Sequence, residues 1–479
     1  MPSADTGAST AVRVGASTSP SPVTTAATAG RGPHRPRESR ELPPAAARTP
    51  CPDRAAGRQA PAEPERLHPG GPGYRRMSFA LFASGVATFA LLYCTQALLP
   101  AISADLGVTP DQASWTVSAA TGALALAVLP LSALSERFGR RAMMTASLGS
   151  AALVSVAIPF APDLGWLIAL RAVQGVALAG LPASAMAYLA EEVRPRALVG
   201  AIGLFVAGNS IGGMSGRIVT GWVSQVWGWR AALAAVAVLA VAAAITFRLL
   251  IPPARHFTPS PLGPRAVART VAGHLSDPLL RRLYAIGALF MTVFGAVYTV
   301  IGYRLVGAPF HLPQGVVGSV FLVYLVGTLS SATAGRVVAR VGRRGALYLA
   351  VGTTATGLLL TATPWLTAVL LGLVLITAGF FTGHAVASAA VSRTARTGRA
   401  QASALYQTAY YLGSSAGGAL GAIAFHALGW PGTVALGLAA VLAAAGITLL
   451  GTRAARAERS ARAAHPARPA VAVARLTGR

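Results

Sequence analysis

Apolar residues in this chain come in blocks of about 20, separated by short polar segments. A helix of that length crosses the hydrocarbon core of a bilayer, because about 20 residues at 1.5 Å each cover roughly 30 Å. From Ser78 onward the pattern predicts an all-α membrane protein with twelve spanning helices. The first six are 78–101, 112–133, 142–161, 165–190, 198–222 and 230–251, and the second six are 283–303, 314–335, 345–363, 367–390, 403–427 and 432–450.

The polar segments divide the chain further. Residues 1–76 are predicted to be a disordered basic tail, because they cannot bury enough apolar surface to offset the entropy of ordering; a translation start at Met77 is the alternative. Six-helix bundles follow at 77–252 and 283–452. The proline-rich segment 253–282 between them is predicted to be a cytoplasmic linker, and 453–479 a second basic tail.

Composition supports the membrane prediction. The chain is 54% hydrophobic and 11% charged, whereas soluble domains carry about 25% charged residues. A net charge of +26 could indicate nucleic-acid binding, but the arginines cluster in short loops and tails, as they do beside membranes. The expected partner is therefore the lipid bilayer and not nucleic acid. Cys51 and Cys94 are too few and too separated for a disulfide framework or a metal site, and no cofactor is expected.

Charge asymmetry between the loops predicts the orientation. Alternate loops carry clusters of arginine, while the intervening loops carry Asp105, Asp111 and Asp163. Basic loops stay in the cytoplasm. We therefore expect a multi-pass protein of the cytoplasmic membrane with both termini inside. The arginines of the basic loops are Arg137, Arg140, Arg141, Arg194, Arg196, Arg340, Arg343, Arg344, Arg393, Arg396 and Arg399.

Two sequence patterns that each occur twice indicate that the six-helix unit is duplicated. The charged segment Ser132–Arg141, which we call the first hinge, returns about 200 positions later as Gly335–Arg344, the second hinge. The second hinge has Ala339 where the first has Glu136. A run of glycines at every fourth position also occurs twice, with nearly the same separation as the two hinges. Such glycines predict close packing of helices, and the alternative is that the same contact also moves as a gate. They are Gly208, Gly212 and Gly216 in the fifth span and Gly413, Gly417 and Gly421 in the eleventh.

With these hinges and the Arg171, Gln174 and Gly175 pattern of the fourth span, residues 77–452 resemble the major facilitator superfamily of transporters. The run from Met186 and the glycine-rich spans look like its drug and arabinose efflux permease branch. The resemblance implies a cytoplasmic latch in which Glu136 engages the start of the eleventh span near Arg399; the alternative is that the arginines only fix topology. The latch set is Glu136, Arg137, Gly139, Arg140, Arg141, Arg340, Gly342, Arg343 and Arg344.

Few residues could carry chemistry inside the membrane. No acidic residue lies in the middle of a predicted span, so a coupling proton would bind at a helix end, at Asp105 or Glu191, or at His384. Arg171 and Arg217 are cations within spans, which could pair with Asp105, bind an anionic group or reach the interface. Helices that line the cavity in the family carry Tyr93, Gln96, Trp115, Gln174, Asn209, Tyr298, Tyr324, Gln407 and Tyr410.

The sequence therefore predicts a secondary transporter that works by alternating access, as a monomer, and exports small molecules in exchange for protons. No phosphate-binding Gly-x4-Gly-Lys-Ser/Thr loop is present, so the proton gradient is the expected energy source. Two in-span arginines without buried carboxylates favour neutral or anionic solutes. Uptake or exchange of a small organic anion is one alternative, and a transport-dead sensor or scaffold is another. An enzyme is not expected, because the spans offer no nucleophile–base cluster.

Overall fold

The computed structural model describes residues 66–259, 263–395 and 397–464. Most of both predicted tails, and Arg396, lie outside the described residues. Within these ranges the chain is helical, and its single β-bridge joins Leu67 to Val193. The helices are α1 Pro72–Tyr93, α2 Leu99–Leu106, α3 Pro110–Phe138, α4 Arg140–Ala157, α5 Leu164–Leu178, α6 Gly180–Glu192, α7 Pro195–Leu250, α8 Pro264–Ser276, α9 Pro278–Val306, α10 Gln314–Ser319, α11 Tyr324–Thr361, α12 Leu366–Thr394 and α13 Arg399–Ala464.

Nine helical stretches in the described part of the chain are long and apolar enough to cross a membrane. Three of them, at 195–250, 314–361 and 399–453, are 56, 48 and 55 residues long. At 1.5 Å per residue each would extend roughly 70 to 85 Å, more than twice the thickness of a bilayer core. Each is therefore long enough for two crossings. The predicted number of twelve spans itself stays a prediction.

Each of the three long stretches contains a glycine at which the helical backbone is broken. The φ angles are 80° at Gly228, 73° at Gly342 and 65° at Gly429, and Gly139 between α3 and α4 has a φ of 94°. L-residues with a Cβ rarely adopt this conformation, so glycine is the residue that can reverse the chain here. Gly139 and Gly342 lie at the same place in the two hinges, so both halves turn by the same device.

Some segments differ from the prediction. The last part of the predicted disordered tail is ordered, since Leu67 N donates to Glu192 O at 2.8 Å and α1 begins at Pro72. The predicted linker contains α8, a helix that has proline at its first position, where the missing N–H has no intrahelical partner to lose. The predicted first span is broken after Tyr93.

The two glycine stripes pack within their own halves. A Cβ at Gly208 or Gly212 would overlap the backbone of α1, and one at Gly413 or Gly417 would overlap the backbone of α9. Close packing of helices is thus what these glycines provide. These contacts join helices of one half and not the two halves to each other, and a gate at the same contact stays a prediction.

Candidate functional site

A cavity of about 250 Å³ lies between the two halves of the chain. The first half contributes a cation and an amide, while the second half contributes mainly aromatic rings. No carboxylate is among the described side chains of its wall. The wall includes Phe89, Tyr93, Met186, Asn209, Ser210 and Arg217 from the first half, and Met291, Phe294, Tyr324, Phe380, Phe381, His384, Gln407, Tyr410 and Tyr411 from the second.

Arg217 on α7 is the cation of this cavity, and it is only 2% exposed. Its Nε donates to Gln96 Oε1 at 2.8 Å, and its terminal nitrogen donates to the carbonyl oxygen of Gly213 one turn earlier. The Gln96 amide also donates to Thr299 Oγ1 of the second half, at 3.3 Å. Gln96 therefore links Arg217 to Thr299 of the second half.

Three aromatic rings surround the Arg217 guanidinium. Its central carbon lies 4.5 Å from the ring centroid of Tyr93, 4.8 Å from that of Phe321 and 5.0 Å from that of Tyr324. Ring faces attract a cation, most strongly where water is excluded. Tyr93 belongs to the first half, and Phe321 and Tyr324 belong to the second. We call these three residues the aromatic box; it exists only while the halves are in contact here.

Arg171 proves to be different from Arg217 although both are cations within spans. It is fully buried and donates to the backbone carbonyls of Leu91, Leu92 and Thr116 and to the Gln174 side chain. The carbonyls of Leu91 and Leu92 belong to the last turn of α1, which lacks intrahelical donors. Arg171, oriented by Gln174, therefore completes a helix end, and neither residue is among those that line the cavity.

The two carboxylates predicted as proton carriers lie elsewhere. Asp105 is about half exposed and accepts from Arg230 at 2.7 Å and from the Trp229 indole at 2.9 Å. It therefore pairs with neither in-span arginine, contrary to that expectation. Glu191 pairs with Arg140 at 3.1 Å beside the first hinge. Neither acid is in the cavity wall, because each is held by a cation at a helix end.

His384 on α12 does lie in the cavity wall. Its Nδ1 is 3.0 Å from the Tyr406 hydroxyl, and its ring centroid is 4.8 Å from that of Tyr410 and 5.9 Å from that of Phe380. Among the described wall residues it is the one whose side chain ordinarily titrates near neutral pH. Several predicted candidates join Arg217 in the wall, namely Tyr93, Asn209, Tyr324, His384, Gln407 and Tyr410.

The phenylalanines of the second half's wall, Phe294, Phe380 and Phe381, were not singled out from the sequence. Phe294 on α9 stacks on Phe380 with ring centroids 4.1 Å apart, and Phe381 meets Phe380 edge-on at 5.1 Å. A phenylalanine in an apolar helix carries no signal of whether it faces lipid or a cavity. Trp115, by contrast, is 46% exposed, and Tyr298 is buried with its hydroxyl 2.6 Å from Thr377 Oγ1.

Beyond the aromatic box, small and polar residues hold the two halves together. Gly221 of α7 meets Gly318 of α10 so closely that a Cβ on either would contact the other's backbone. The Trp222 indole donates to Ser319 Oγ at 3.0 Å, and Gly315 N donates to Gln225 Oε1 at 2.9 Å. Close backbone approach leaves no passage between α7 and α10 at this point.

A second set of contacts closes the same end between α2 and α9. Tyr303 of α9 donates from its hydroxyl to Leu99 O at 3.0 Å, and the hydroxyls of Ser103 and Tyr303 are 2.6 Å apart. The Gln314 side chain also donates to the Ala97 carbonyl. We call this the sealed end of the cavity.

The first hinge lies at the other end, which we call the basic end. Glu136 is 4.0 Å from Arg140, and Arg140 donates to Ser135 Oγ at 2.7 Å. Glu136 also lines a small crevice with Ala400 and Gln401 at the start of α13. The structure thus places Glu136 beside the segment that the resemblance implied, while the latch role itself stays a prediction.

The second hinge has no comparable setting. Arg340, Gly342 and Arg343 are exposed, and Ala339 replaces the acid. The first hinge, in contrast, contacts the linker, because the Arg140 guanidinium lies 5.8 Å from the ring centroid of Phe257.

Comparison with known proteins extends this picture. The family model of the Major Facilitator Superfamily matches residues 78–306 and 283–477. The uncharacterized MFS-type transporter YybF of Bacillus subtilis is 40% identical over 370 residues, which cover 77% of this chain and 92% of that protein. The inner membrane transport protein YnfM of Escherichia coli is 38% identical over 384 residues, or 80% of this chain and 91% of that protein.

Solved structures show the same fold at low sequence identity. A bacterial homolog of the human lysosomal transporter Spinster, in an inward-facing and occupied conformation, matches with a TM-score of 0.67 at 14% identity, covering 80% of this chain and 97% of that one. A point mutant of the nucleoside transporter NupG matches with a TM-score of 0.64 at 12% identity, covering 78% of this chain and 99% of that one.

Proposed function

This chain belongs to the major facilitator superfamily of membrane transporters, and we propose that it exports small organic solutes in exchange for protons. The observation that carries the proposal is the cavity between two halves that share one backbone plan. Alternating access requires a central site that the halves can close from either end in turn. The sealed end provides one closure, and the hinge beside α13 lies where the other would form.

His384 is the residue that we propose for proton coupling. It lies in the cavity wall, whereas Asp105 and Glu191 are paired with arginines away from it. A group that binds the proton and the solute in turn has to reach the same space as the solute. The Tyr406 hydroxyl beside Nδ1 fixes the orientation of the ring, so that the remaining nitrogen is the one that exchanges the proton.

The orientation of the protein in the membrane is part of the proposal. The basic end carries both hinges' arginines and the linker, and basic loops remain on the cytoplasmic side. We therefore place both termini in the cytoplasm and the sealed end outside. Cysteines introduced at exposed Arg340 and Phe160 should react with an impermeant maleimide from the inside and the outside, respectively.

Purified protein in liposomes tests the direction of coupling. The labelled probes are benzenesulfonate, phenyl β-glucoside and phenyltrimethylammonium, which are anionic, neutral and cationic and cross lipid slowly. Exchange against protons predicts that an acid interior drives a probe inward and that trapped pyranine reports proton loss at the same time. Accumulation driven by an acid exterior would instead establish uptake, and gradient-independent exchange would remove the coupling.

The His384→Gln variant tests the assignment of the proton site. We expect it to retain exchange of labelled for unlabelled probe while losing accumulation driven by the pH gradient. If gradient-driven accumulation survives in this variant, His384 is not the coupling residue. Deleting residues 1–65 separates the transporter from a scaffold, because a transporter should keep its probe flux without them.

A further inference from the structure

We propose that Arg217 binds an anionic group of the solute, and that the cavity accepts small organic anions with an aromatic body. The inference rests on the proposed function in that the cavity is the site of transport. It goes beyond that function by naming the charge of the solute and the residue that selects it. Three features of the cavity support it: a cation without a carboxylate partner among the described residues, an aromatic wall and a link to the sealed end.

The charge of Arg217 has no carboxylate partner among the described residues, although its side chain is almost fully buried. A cation held away from water is costly unless an opposite charge or several acceptors face it. The neutral oxygens of Gln96 and Gly213 use only two of the five N–H donors of the guanidinium. Because Arg217 also lines the cavity, an entering anion can supply the missing charge and accept from the other donors.

A second unsatisfied donor lies on the same wall. The Tyr324 hydroxyl is buried without a hydrogen-bond partner among the residues that the structure describes, and its ring packs on Arg217. A hydroxyl donates readily to an anionic oxygen. A cationic solute would find neither a carboxylate on the described wall nor relief from the charge of Arg217, so electrostatics disfavours it.

The rest of the cavity suits an aromatic body. Phe294, Phe380 and Phe381 form a stacked and edge-on cluster that lines the cavity, with ring centroids 4.1 and 5.1 Å apart along the cluster. Aromatic rings pack favourably in such offset and edge-on arrangements. A volume of about 250 Å³ has room for a one- or two-ring solute.

The anion site is also linked to the sealed end. Two rings of the aromatic box, Phe321 and Tyr324, come from the second half, and Gln96 joins Arg217 to Thr299. Separation of the halves at the sealed end would remove those rings from Arg217 and admit water around its charge. Arg217 would then hold an anion less tightly, because exposed charge pairs are weaker than buried ones.

Binding to the purified full-length chain in detergent tests the proposal without any need for transport. The probes are benzenesulfonate and benzenesulfonamide, which have nearly the same shape but differ in charge, and calorimetric titration gives the dissociation constants. We expect the unmodified chain to bind the sulfonate at least about tenfold more tightly than the sulfonamide, as one charge-assisted contact allows. Arg217→Gln should abolish that preference, and Arg217→Lys, which keeps the charge, should retain part of it.

Arg304→Gln is the matched control. Arg304 is also stacked on aromatic rings, with its guanidinium 4.9 Å from the Trp430 centroid, but it does not line the cavity. This variant should keep the preference for the sulfonate. Equal affinity for the two probes in the unmodified chain would overturn the proposal, and so would an unchanged preference in folded Arg217→Gln. A failure of proton exchange in liposomes would leave this binding result intact, so the two proposals fail separately.

Discussion

The backbones of the two halves correspond closely, whereas their buried chemistry does not. Gly139 and Gly342 both turn the chain with a positive φ angle. The glycine stripe of each half packs against the first spanning helix of the same half, α1 or α9. Arg217 in the first half, however, has buried Ala422 in its place in the second, just after the equivalent stripe. Glu136, beside α13, corresponds to exposed Ala339.

This difference shows which parts of the duplicated unit are constrained by packing. A glycine that touches a backbone cannot be exchanged in either copy, because a Cβ has no space there. A charged side chain in one half is sufficient when both halves line the same cavity. The first half therefore holds the cation, and the second half supplies two of the three rings that surround it.

We expect the largest loss of stability from substitutions in the two glycine stripes, which pack in the same way in both halves. Gly212→Ala and Gly417→Ala each place a Cβ on the backbone of Val86 or Thr292. Backbone cannot move aside as a flexible side chain can, so each should cost about 3 kcal/mol or more. Both variants should show sharply reduced thermal stability and monodisperse yield in detergent, to a similar extent in the two halves.

Gly203→Ala and Gly446→Ala are the controls, since a Cβ at either position meets nothing within 4 Å. Alanine also has the higher helix propensity, so these variants should be as stable as the unmodified chain. A large loss in only one of the two stripe variants would break the correspondence between the halves.

The second-largest effect should be a difference in stability between variants of Arg171 and Arg217, the two buried arginines of the first half. Arg171→Gln removes the guanidinium donor of the Leu92 and Thr116 carbonyls and leaves Leu91 O only the weak Cys94 thiol donor, and each unsatisfied buried group costs about 1–3 kcal/mol. Arg217→Gln removes the donor of the Gln96 and Gly213 oxygens, but these lie beside a cavity from which water can reach them, so it should cost less stability. Thermal midpoints in detergent should therefore fall strongly for Arg171→Gln alone. Equal losses would mean that Arg217 is also a structural residue.

Substitutions in the two hinges should differ in their effect on solute flux more than in their effect on stability. Glu136→Gln removes a half-buried charge near Arg140 and α13, an interaction of about 1 kcal/mol. If this charge stabilises the closed basic end, probe flux in liposomes should slow about fivefold while membrane insertion is unchanged. Ala339→Glu adds the missing acid to the exposed second hinge and should leave the flux as it was. Normal flux in Glu136→Gln would remove the latch role.

The smallest effect is expected at the exposed ion pair of the sealed end. Asp105 and Arg230 are about half exposed, and such pairs contribute about 0–1 kcal/mol. Asp105→Asn should keep both its thermal midpoint and the pH dependence of probe flux. Loss of proton-driven accumulation in this variant would move the coupling site from His384 to Asp105.

Sequence reasoning reached the membrane class, the all-α fold and the family, because these follow from properties that repeat along the chain. The spacing of apolar blocks indicates spans regardless of how they pack. It did not find the break after Tyr93, since the polar pair Thr95 and Gln96 is too short to end the apolar block, which continues from Ala97. It also did not find the ordered contact of Leu67 with Glu192, which depends on a residue far along the chain.

The candidate site divides in the same way. The apolar pattern already places Arg171 and Arg217 as cations within spans that hold few other charges. Their different roles emerge only in the folded chain, where Arg171 completes a helix end and Arg217 faces the cavity. The reason is physical: the partners that distinguish the two arginines lie on other helices, 55 positions away for the Arg171 contact with Thr116 and 121 for the Arg217 contact with Gln96. A side chain's role in a helical bundle depends on which helices its face meets, and packing alone fixes that.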